Sequence, residues 1–90
     1  MLRTEQLIFA EIYFEHHGQT HIRWCVAKDR SFIPQNQDEW NYWESDYGIL
    51  TLLVRFLAYG EIKDLNPVGL EDGIEEVRRG NSSLCILYYR

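Results

Sequence analysis

Hydrophobic and polar positions alternate at the start of the chain. From Leu7 to His16 the even positions are Ile8, Ala10, Ile12 and Phe14, while Glu11 and Glu15 fall on odd ones. From Thr20 to Lys28 the even positions are again apolar, namely Ile22, Trp24 and Val26. A period of two marks a half-buried strand, so this third of the chain predicts a β-hairpin. Keeping the two even sets on one face selects a three-residue turn, His17-Gly18-Gln19. That turn sets Phe14 against Ile22, Ile12 against Trp24 and Ala10 against Val26. On the opposite face Glu15 then meets His21, and Tyr13 meets Arg23, both favourable cross-strand pairs. A two-residue turn would pair Phe14 with His21 and mix the faces.

Further along the period changes. Arg30 to Gln37, with Pro34, reads as a loop. From Asp46 to Tyr59 the pattern predicts a long helix, with Ser45 or Asp46 as N-cap and Gly60 as its stop. At 100° per residue its apolar side chains, Ile49, Leu50, Leu52, Leu53, Val54, Phe56, Leu57 and Tyr59, cover more than half the circumference. Such a helix needs cover from more than one side. Three sources of that cover stay open. One is a short helix from about Leu70 to Arg79, with Leu70, Ile74 and Val77 at helical spacing and Gly80 ending it. Another is the aromatic segment before the long helix, where a helix starting near Asp38 would continue the stripe Trp40, Trp43, Tyr47. The third is another copy of the chain. Gly60 to Gly69 reads as a linker-like stretch, and Ser83 to Tyr89 as a terminal strand that joins the hairpin. The expected architecture is one α+β domain over residues 1–90, with two layers in the order β-β-α-α-β. Its antiparallel sheet is the N-terminal hairpin plus the C-terminal strand, packed on one long buried helix and one short helix.

Composition narrows the class. Ninety residues make one domain, and 46% hydrophobic with 14% aromatic residues is enough for a packed core. The longest apolar run, Ile49 to Tyr59, is too short and too polar to span a bilayer, and no secretory signal follows the N-terminus. Two isolated cysteines, Cys25 and Cys85, suit a reducing compartment, and Cys85 in the apolar terminal strand suits the role of a small apolar filler. A cytoplasmic protein is the expectation, with neither membrane nor direct nucleic-acid binding, since a net charge of −5 opposes phosphate.

That charge is concentrated. The first thirty residues balance four basic against four acidic side chains, whereas no basic residue lies between Arg30 and Arg55. The same gap holds Asp38, Glu39, Trp40, Tyr42, Trp43, Glu44, Asp46 and Tyr47. Tryptophan and tyrosine are enriched at interface centres, and carboxylates at an edge steer a basic partner. These eight residues are the candidate partner-binding site.

Chemistry is sparser. His16, His17 and His21 gather at the hairpin turn near Glu15, with Cys25 beyond. In the register above they point in different directions, and no C-x2-C pair completes a site, so neither metal nor cofactor is expected. Glu15 opposite His21 could exchange a proton but lacks an orienting group and a nucleophile. The leading expectation is therefore a small acidic non-enzymatic protein-binding module, an inhibitor or immunity-type protein. It would cover a basic site on its partner, such as that of a nuclease or nucleic-acid-binding protein. The alternative is a homodimeric accessory subunit, and a small enzyme using the His/Glu hairpin comes third.

Overall fold

A computed structural model describes residues 2–16, 18–33, 52–80 and 86–88. Within them the chain is α+β. A 3-10 turn at Thr4–Gln6 leads into β1 (Ile8–His16) and β2 (Gln19–Ala27), and a second 3-10 turn follows at Arg30–Phe32. Then come β3 (Leu52–Leu57), helices α1 (Tyr59–Leu65) and α2 (Leu70–Arg78), and β4 (Ile86–Tyr88). The four strands form one antiparallel sheet in the order β3-β1-β2-β4.

The hairpin, α2 and the terminal strand agree with the pattern. Leu70, Ile74 and Val77 are the buried stripe of α2, and Gly80 follows in the left-handed region at φ 75°. Acids lead that helix and Arg78 ends it, as the macrodipole favours. The linker-like stretch is more ordered than expected. It holds α1, which Glu61 opens by accepting from the backbone N–H of Ala58 at 2.9 Å. Asn66 closes the helix in the left-handed conformation, and Pro67 prevents its continuation.

Two expectations about strands and helices are corrected. The first is the hairpin register. The turn has two residues, so Phe14 faces His21, Ile12 faces Arg23 and Tyr13 faces Ile22. Gly18, at φ 76°, takes the left-handed position a two-residue turn requires. The mixing of faces that argued against this turn is tolerated because the sheet is apolar on both sides. One core joins Phe9, Trp24, Val26 and Leu57 to Ile62, Leu70, Ile74 and Val77 of the helices. The other lies across the sheet and gathers Ala10, Ile12, Phe14, Cys25, Ala27 and Ile33, with Val54 and Phe56 packed against it.

The second correction concerns Asp46 to Tyr59. Residues 52–57 are a strand, helix begins only at Tyr59, and Gly60 lies inside it. The rest of the expected helix lies outside the described residues. Among the described residues the order is thus β-β-β-α-α-β, and residues 52–57 of the expected helix form an added strand. A run apolar on nearly all sides suits a strand packed from both faces as well as it suits a buried helix. The Arg30 guanidinium, 4.0 Å over the Phe56 ring, ties the turn after β2 to this strand.

Cys25 is disulfide-bonded, not a free thiol, and is wholly buried. Pairing of β2 with β4 sets Cys25 opposite Leu87, and the chain's other cysteine, Cys85, lies outside the described residues. No helix among the described residues is long and apolar enough to cross a membrane.

Candidate functional site

The antiparallel ladder lays three strands of the sheet out in rows. On the face that carries the helices, the first row is Leu57, Phe9 and Val26, beneath the helical core. The second is Arg55, Glu11 and Trp24, and the third is Leu53, Tyr13 and Ile22. The helices do not extend over the third row. Leu53 is 65% exposed and Ile22 39%, with half-buried Tyr13 between them. One of these three rows is therefore an open apolar strip.

The second row borders the strip and carries its charge. Glu11 is the one buried charged residue among the described residues. An isolated buried carboxylate is costly, and here three donors converge on it. The Trp24 indole N–H donates to Glu11 Oε2 at 3.1 Å, and the Tyr13 hydroxyl donates to Oε1. Arg55 Nε lies 3.4 Å from the same Oε1. The pair is asymmetric, with the Glu11 side chain 6% exposed and that of Arg55 58%. Donating to a carboxylate holds the Tyr13 hydroxyl above its ordinary pKa of 10.0; burial and the negative charge of Glu11 act the same way, against Arg55.

The eight expected partner-binding residues, Asp38, Glu39, Trp40, Tyr42, Trp43, Glu44, Asp46 and Tyr47, lie outside the described residues, as does His17. Glu15 and His21, expected opposite one another, are not brought together. Glu15 faces Thr20, while His21 stacks on Phe14 with ring centroids 5.2 Å apart on the other face. Arg23, expected beside Tyr13, lies instead over the Phe14 ring at 5.6 Å. Among the described residues no group of three or more His, Cys, Asp or Glu side chains could hold a metal ion.

Glu11 and Arg55 were missed as a site, although a signal was present. Each is the one charge inside an apolar run, Leu7 to Phe14 and Ile49 to Tyr59, and the two have opposite sign. Reading the second run as a helix hid their relation. Comparison with protein-family models, curated proteins and solved structures finds no match for this chain.

Proposed function

We propose that this protein is a non-enzymatic protein-binding module of the inhibitor or immunity type. The observation that carries the reading is the open strip on the sheet. Leu53 and Ile22 stay in water beside Tyr13, although the same sheet face is packed under helices two rows further on. Exposed apolar surface rimmed by polar groups is a feature of interaction sites. Glu11, Tyr13 and Arg55, on the side of the strip toward the helices, are engaged with one another, an arrangement suited to shape more than to proton transfer. On the sequence side, the acidic and aromatic residues between Asp38 and Tyr47 favour a partner with a basic surface, which they would steer toward the complex. The cytoplasmic setting belongs to the same proposal.

The test is affinity capture from the source cells with three baits: the native chain, Leu53→Asp, and the triple variant Glu39→Gln, Glu44→Gln, Asp46→Asn. One basic protein held by the native bait and lost from both variants is the expected result. An unchanged set of captured proteins overturns the reading. Light scattering alongside it separates the homodimer alternative, which requires a stable dimer at low concentration.

A further inference from the structure

We infer that the open strip and Arg55 together form a receptor for a carboxylate set beside an apolar side chain, as on an acidic-aliphatic peptide segment of a protein partner. The inference rests on the binding-module reading and names the chemistry of that same face. Three observations lead to it.

First, Arg55 is held at one end only. Its Nε faces Glu11, and no other ion-pair or hydrogen-bond partner is assigned to it among the described residues. With 58% of the side chain exposed, the terminal fork of two N–H groups is left for a ligand. That fork matches the two oxygens of a carboxylate. Second, the guanidinium is pre-oriented. Glu11 is itself fixed by Trp24 and Tyr13, so the anchor does not swing, and a ligand loses less entropy in ordering the site. Third, Leu53 precedes Arg55 by two residues on β3. It therefore shares the face and begins the apolar row that runs through Tyr13 to Ile22. A carboxylate on Arg55 consequently brings its neighbouring side chain onto Leu53.

The charge around the site limits what it takes. One guanidinium stands beside buried Glu11, in a chain of net charge −5. A single carboxylate fits there. A run of phosphates would find one cation here, already facing the carboxylate of Glu11, so nucleic acid is not the ligand. A basic partner steered by the acidic segment satisfies the site when it presents one such carboxylate.

The test uses the full chain, isotope-labelled, titrated with the blocked tripeptide Ac-Leu-Glu-Leu-NH2 and with its Gln and Lys analogues. Backbone and Arg Nε–H resonances report where each peptide binds. The Glu peptide is expected to shift Tyr13, Ile22, Leu53 and Arg55 and to bind at least about fivefold more tightly than the Gln peptide. The Lys peptide is expected to bind weakest. Arg55→Gln should bring the Glu-to-Gln ratio to about one, whereas Arg55→Lys, which keeps the charge without the fork, should retain part of it. A dispersed amide spectrum confirms that each variant folds. Equal binding of the three peptides on this strip overturns the carboxylate inference and leaves the binding-module reading standing. No shift on the strip with any peptide also overturns the inference, while the capture experiment judges the binding-module reading separately.

Discussion

Glu11 and Arg55 stand opposite one another across β1 and β3, with Arg55 Nε 3.4 Å from Glu11 Oε1. The acid is buried and the base is mostly in water, so the two contribute unequally to stability. Glu11→Leu deprives both the Trp24 indole and the Tyr13 hydroxyl of an acceptor. Loss of about 3 kcal/mol is expected from leaving buried donors unmet. Arg55→Met should cost under about 1 kcal/mol, because an exposed partner is screened by solvent. Urea unfolding of the two variants gives the comparison, and an equal loss would refute the asymmetry.

Alkaline pH should act through Tyr13. Its hydroxyl pKa is raised in the folded chain, first by donation to Glu11. A raised folded value means that the stabilisation is complete below the unfolded value of about 10 and is lost as pH climbs through the folded one. Ultraviolet difference titration of the native chain and of Tyr13→Phe should show one late-ionising tyrosine present only in the former. Identical curves would contradict the hydrogen bond.

Exposure separates two aliphatic residues of similar size. Leu53→Asp alters a side chain that is 65% exposed, and the unfolding free energy should change by no more than about 0.5 kcal/mol. Ile62→Ala empties a wholly buried position in the helical core and should cost about 2–5 kcal/mol. Thermal melts of both variants decide the matter. A large loss with Leu53→Asp would mean that the strip is covered in solution.

Cys25 offers a redox test. Reduction by excess thiol, or Cys25→Ala, should lower stability by about 2–4 kcal/mol, the usual worth of a disulfide. Mass-resolved alkylation of the protein drawn directly from cells reports which state exists there. Free thiols would favour the cytoplasmic setting, and a bridged Cys25 an oxidising one.

Much of the fold was legible where local signals agree. Leu70, Ile74 and Val77 repeat at helical spacing, acids precede Arg78, and Gly80 ends the run, so α2 was readable almost to the residue. The two hairpin strands were readable from their period of two, and the terminal run from its apolar content. The hairpin register was not, because that argument assumed one buried face. Ala10 and Cys25 are buried on one side while Phe9 and Val26 are buried on the other, so parity no longer tells inside from outside. For the same reason the stretch through Leu57 read as a helix. Of the candidate site, the exposed strip depends on where the helices stop, a tertiary fact. Glu11 and Arg55 were visible only as interruptions of apolar runs.

A sheet greasy on both sides has an alignment problem. Sliding β3 by one residue against β1 would normally throw its apolar side chains into water. Here both faces bury such side chains, so a slip exacts a smaller hydrophobic penalty. It would, however, part Arg55 from Glu11 and send the two charges to opposite sides of the sheet. The ion pair thereby acts as an alignment pin, a role distinct from its modest contribution to strength. With Glu11→Leu and Arg55→Met combined, the chain should still collapse into a sheet, but with β3 docked in more than one frame, seen as doubled amide resonances along Leu52–Leu57.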